Sequence, residues 1–152
     1  MLDQPITSAA FLLALGPGDK PPGLPSIFQV GDRVLEIGAD LSRIPAGTPT
    51  QRIAVLGALT TDYLIRAVAC AVLPEGELPI LYQAPFESWV QEVLNPAPGL
   101  FTFGPELVVI APHWRDIVAP VPIDASADAV DAALESKVSL LWALWNQLVT
   151  KG

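Results

Sequence analysis

The sequence is short of most of what marks catalysis or metal binding. It holds one histidine, His113, and one cysteine, Cys70. A single thiol excludes an internal disulfide, and two such residues without paired spacing exclude a zinc site of the Cys/His kind, so neither metal nor cofactor is expected. Basic residues are few: eight Lys and Arg stand against sixteen Asp and Glu, a net charge of −8. That surplus repels phosphate backbones, and nucleic acid is not an expected partner. Long apolar runs are missing although 51% of the residues are hydrophobic. None reaches the ~18 to 20 residues that a membrane-spanning helix needs. The first residues, MLDQPITSAAFLLALG, lack the positive region of a signal peptide. These absences together make a soluble, cytoplasmic protein the expectation.

Proline is plentiful, and its placement divides the chain. Seven of the sixteen prolines fall before residue 52. Residues 1–51 therefore read as an irregular leader packed on the core. Thr7 or Ser8 is a candidate cap for a short helix over Ala9 to Leu15, and GPGDKPPGLP interrupts regular structure after it. Ile27 to Val30 and Arg33 to Ile37 flank Gly31-Asp32, which predicts a hairpin with a short helix as the alternative.

From residue 52 the pattern becomes regular. It predicts strands at 52–58, 78–83 and 107–111, helices at 61–73 and 86–95, and a last helix from about Ser126 to Val149. Alternating strands and helices imply a three-layer α/β domain over 52–152, with a parallel sheet in strand order 2-1-3. Leu107 to Ile110 lack polar alternation, as expected for a strand buried on both faces. Such sheets gather ligands beyond the carboxyl ends of their strands. That edge should carry Thr60, Thr61, Asp62, Gln83, Phe86, Glu87, His113, Trp114 and Arg115.

The chemistry at that edge is open to more than one reading. Gly57-Ala58-Leu59-Thr60-Thr61-Asp62 has too few glycines for a dinucleotide loop and no lysine for a phosphate loop. Its hydroxyls either cap the following helix, with Asp62 complementing the macrodipole, or orient a ligand there. Thr60, His113 and Asp116 supply the types needed for a nucleophile, a base and an orienting acid, while a histidine beside a tryptophan also serves as a plain rim residue. Cys70, inside the helical run, reads as a small buried hydrophobe. Trp89, Trp142 and Trp145 sit at helical spacing as core or interface residues, and the last two are suspected of facing a partner.

The run from Arg52 to Asp116 resembles the N-terminal domain of FkbH-like proteins. The resemblance rests on four segments in order. Gly57, Thr60, Asp62 and Leu64 match the Gly-x-x-Thr-x-Asp-x-Leu turn; Phe86, Trp89, Gln91 and Glu92 match an aromatic helix; Asn95, Pro96, Gly99, Leu100 and Phe101 match a loop; Pro105, Val108, Val109, Arg115 and Asp116 match the final strand. The sequence departs from the family at Glu87, where a glycine is usual. It also lacks the Asp-x-x-His block of true hydrolases and the Asp-x-Asp motif of a phosphatase-like domain.

The resemblance implies a flavodoxin-like, SGNH-hydrolase-like fold. It further implies work beside a haloacid-dehalogenase-type phosphatase partner and an acyl carrier protein, in glyceryl loading for polyketide or related natural-product pathways. An accessory or binding domain is the first expectation. A small SGNH-like hydrolase or acyltransferase using Thr60, His113 and Asp116 is the second. The prediction that the third strand keeps an open outer edge adds a possible homodimer to the expected partners.

Overall fold

The computed structural model describes residues 24–95 and 99–151. The expected helix over Ala9 to Leu15 lies outside them. Thr50–Gly57 forms the central strand, β1, and its residues from Ile53 onward are all buried. Leu78–Gln83 (β2) and Leu107–Ala111 (β3) pair with it on either side, both parallel, in the order β2-β1-β3. Pro79 fits this order, because β2 is an edge strand and an edge tolerates a residue with no N–H to donate. The register sets Val55 opposite both Gln83 and Val109, and Gly57 opposite Ala111.

Helices cover both faces of the sheet. On one lie Leu24–Gly38 (α1) and Asp62–Val72 (α2), enclosing Val30, Val34, Ala69, Cys70 and Leu78. On the other lie Trp89–Leu94 (α3), the single turn Leu100–Phe103 (α4) and the long Ala127–Lys151 helix. These enclose Ala54, Leu56, Trp89, Val93 and Leu144. A further turn, Trp114–Ile117 (α5), follows β3, so the long helix is α6. This is an open α/β fold of the Rossmann or flavodoxin-like type.

Three local expectations are corrected. The hairpin about Gly31-Asp32 is one continuous helix, α1, so this part of the leader is regular. Ile27, Val30, Val34 and Ile37 recur at spacings of three and four, and burying that stripe outweighs the turn preference of Gly-Asp. The helix expected over 86–95 is confined to α3, because Glu87 takes a left-handed conformation with φ 56° and ends the preceding turn. β3 is half-buried along most of its length and Leu107 is exposed, since no described strand covers its outer edge.

One carboxylate ties β2 to the turns beyond it. Glu92 Oε2 accepts the Tyr82 hydroxyl at 2.8 Å and the Leu100 N–H at 3.1 Å. Tyr82 stacks on Phe103, and the Arg52 guanidinium lies over the Phe103 ring at 4.6 Å. Burial, then the hydrogen bond to Glu92, then its charge push the Tyr82 phenol up to about 12. The folded chain thus holds this proton more tightly than the unfolded chain, whose phenol titrates near ~10. Stability owed to Tyr82 is complete below about pH 10 and is lost as the pH climbs towards 12. Urea midpoints followed across that window should fall for the wild type and fall less for Tyr82→Phe.

Candidate functional site

The carboxyl ends of all three strands open on one edge, as parallel pairing requires. β1 ends at Gly57, and a Cβ there would lie 2.4 Å from Thr61 Cγ2 and 3.3 Å from the Ala111 carbonyl. Glycine is what lets the turn fold back over the strand end. Thr61 then occupies the position before α2 and is 5% exposed. Its hydroxyl does not cap the helix. Thr61 Oγ1 instead accepts from Gln83 Nε2 at 2.9 Å, and the same amide donates to Asp62 Oδ1 at 2.8 Å. The Gln83 side chain at the end of β2 therefore pins the turn that follows β1. A capping threonine, one of the two sequence readings, is replaced by a cross-strand clamp.

Two depressions flank Leu59, which projects between them and is 55% exposed. The first, about 360 Å³, is lined by Thr60, Thr61, Asp62, Gln83 and Phe86. The second, about 390 Å³, is lined by Ala58, Glu87, Trp89, His113, Arg115 and Asp116. Both lie at the small end of the ~300–1,000 Å³ usual for ligand clefts. Trp114 stands exposed beside the second, with the Arg115 guanidinium 5.1 Å from its ring centre.

The predicted trio does not assemble as a nucleophile, base and orienting acid. Thr60 lines one depression and His113 the other, with Leu59 between. Asp116 Oδ2 accepts the backbone N–H of His113 at 2.9 Å, and His113 Nδ1 accepts the backbone N–H of Arg115 at 3.2 Å. The two side chains cap α5 instead of bonding to each other. An orienting acid accepts an N–H of the imidazole, whereas here Asp116 accepts a backbone N–H and Nδ1 is itself an acceptor; a neutral imidazole so held carries its proton on Nε2 and presents a donor. Among the described residues no group of three His, Cys, Asp or Glu side chains is placed to hold a metal ion. Cys70 is buried, and that burial pushes its thiol up, with a backbone hydrogen bond at Gly31 opposing it.

Glu87 holds the most strained backbone at this edge, at the position where the resembled family has glycine. A left-handed conformation costs a residue with a Cβ about 1–2 kcal/mol. Glu87→Gly should therefore raise stability by up to about 1 kcal/mol, after the extra freedom of glycine in the unfolded chain is subtracted. Chemical denaturation will read this as a higher midpoint at an unchanged slope. Trp89, which the sequence reading gives to the core or an interface, is a lining residue outside the predicted set. Leu59 lies inside the turn that the sequence reading points to, an apolar side chain between a strand end and a helix start, outside both periodic patterns.

No family model and no curated protein matches this sequence. Among solved structures, the fold is similar to the N-terminal part of the protein BF1531 from Bacteroides fragilis, described as containing a phosphatase domain complexed with Mg. The TM-score is 0.57 at 15% sequence identity, over 75% of this chain and 30% of that one. At that identity the likeness is one of fold, and this chain spans less than a third of the longer protein's described length.

Proposed function

We propose that this chain is a binding domain of an FkbH-like loading system, docking a phosphatase-like partner and an acyl carrier protein without catalysing glyceryl transfer itself. The observation that carries the reading is the state of the rim's polar groups. Gln83 donates to both Thr61 and Asp62, and the His113 and Asp116 side chains are held by backbone N–H groups, which builds a fixed surface. Around those groups stand Leu59, Phe86 and Trp114, each more than half exposed. Aromatic and aliphatic side chains rimmed by fixed polar groups, with an arginine among them, are the composition of a protein-docking surface. The likeness in fold to a chain described as containing a phosphatase domain supports the partner's class.

The test is an NMR titration of the labelled chain with a phosphopantetheine-bearing carrier protein and, separately, with a phosphatase-like glyceryl transferase. Shifts confined to Leu59, Thr61, Gln83, Phe86 and Trp114, lost in Phe86→Ala, are the expected result. Unchanged spectra with both proteins would overturn the reading.

A further inference from the structure

The last helix carries more apolar side chains than the domain covers. Leu141, Leu144 and Leu148 face the sheet and join its apolar cluster. Leu134, Val138, Trp142, Trp145 and Val149 do not: they are 48%, 65%, 65%, 59% and 67% exposed. At 3.6 residues per turn these five form one stripe beside the buried one, so the apolar arc of α6 is roughly 160° wide and half of it faces water. An apolar stripe of this length, with two tryptophans at its centre, marks an interaction surface.

We propose that a second copy of this chain occupies the stripe, with the two α6 helices side by side and antiparallel. Three observations select that occupant. First, the stripe is self-complementary in spacing. A two-fold axis between positions 141 and 142 sets Leu134 against Val149 and Val138 against Trp145, and it brings the two Trp142 rings together, as an isologous contact requires. Second, the charge along α6 is polarised. Asp128, Asp131 and Glu135 lie in its first part with no basic residue among them, no acid follows Glu135 and Lys151 closes the last turn; Lys137 is engaged by the Asp116 carbonyl of its own chain. Antiparallel packing carries each acidic end towards the other copy's basic end and opposes the helix dipoles, whereas parallel packing would stack acid on acid. Third, the area suffices. The two indoles offer on the order of 300 Å² per copy. With the three aliphatic side chains, about 1,000 Å² would be buried over both copies, the threshold of a specific and reversible interface.

Light scattering over a concentration series reaching about 1 mM is the test, because an interface at the small end of the size range is a weak one and about 1 mM reveals an association of only about 4 kcal/mol. The mass should rise from 16.1 kDa towards twice that value. Val138→Lys, at a side chain too exposed to support the fold, should stay monomeric with an unchanged circular dichroism spectrum. Mixing Val138→Cys with Trp145→Cys under mild oxidation should cross-link one variant to the other. A monomer at every concentration, a dimer that Val138→Lys leaves intact, or cross-linking of like with like would each overturn the proposal. So would dimerisation that appears only after residues 1–23 are removed, since the stripe would then be covered from within the chain.

Discussion

Leu144→Ala should destabilise the domain by about 2–5 kcal/mol, a large part of the ~5–15 kcal/mol typical of a whole domain. Leu144 is 2% exposed and is the buried residue of a 25-residue helix. It enters the cluster formed by Ala54, Leu56, Trp89 and Val93, at the face of the sheet that the short helices α3 and α4 cover incompletely. Truncating it removes the apolar transfer term and leaves a cavity that rigid β1 does not collapse to fill. The remaining ties are slight: Leu141 and Leu148 are half-buried, and Lys137 Nζ donates to the Asp116 carbonyl at 3.1 Å. Denaturant midpoints, with amide exchange along 137–148, will show both the loss and the loosening of α6. Trp142→Ala, on the exposed side, should change monomer stability by no more than about 0.5 kcal/mol.

Gly31→Ala should also destabilise, against the rule that alanine improves a helix by about 1 kcal/mol over glycine. A Cβ at this position would lie 2.5 Å from Arg66 Cβ and 2.8 Å from Arg66 Cα. The obstacle is the backbone of α2, so no side-chain rotation clears it. The contact sits where Arg66 also bonds Asp32 Oδ1 and the Asp62 carbonyl, each at 2.7 Å, with its guanidinium 5.5 Å from the Phe28 ring centre. Forcing the helices apart strains this junction and separates Val30, Val34 and Cys70 from the residues they touch. Overpacking of this kind costs typically ~1–3 kcal/mol. A lower midpoint, together with a Cys70 thiol that reacts faster with a disulfide reagent, is the expected outcome; a stabilised protein would show that α1 is not held this closely.

The same glycine explains why α1 was hard to read from the sequence. Gly31-Asp32 carries a strong local turn signal, and the reason for that glycine lies thirty-five positions on, at Arg66. Local chemistry pointed to a hairpin, while a tertiary contact required a helix. The strands were legible because Ile53 to Leu56 and Leu78 to Tyr82 are apolar runs bounded by breaks, and the order 2-1-3 followed from right-handed crossovers that place helices on both faces of the sheet. The rim was legible as a set of residues for the same topological reason. Its bonding was not, because the Gln83 amide could reach Thr61 and Asp62 only once β2 and β1 were in register. The His113–Asp116 pair shows the converse. Three residues apart, they suggested a base with its acid, yet that spacing also fits a cap around one helical turn, and the cap is what forms.

The central claim is that this edge binds without doing acyl chemistry, and turnover tests it most directly. The chain would be incubated with chromogenic short-chain esters and with an acyl-carrier thioester, alongside Thr60→Ala and His113→Ala. The account predicts that both variants release product at the wild-type background rate. Turnover above background that either substitution abolishes would contradict it and would favour a small hydrolase or acyltransferase built on Thr60 and His113.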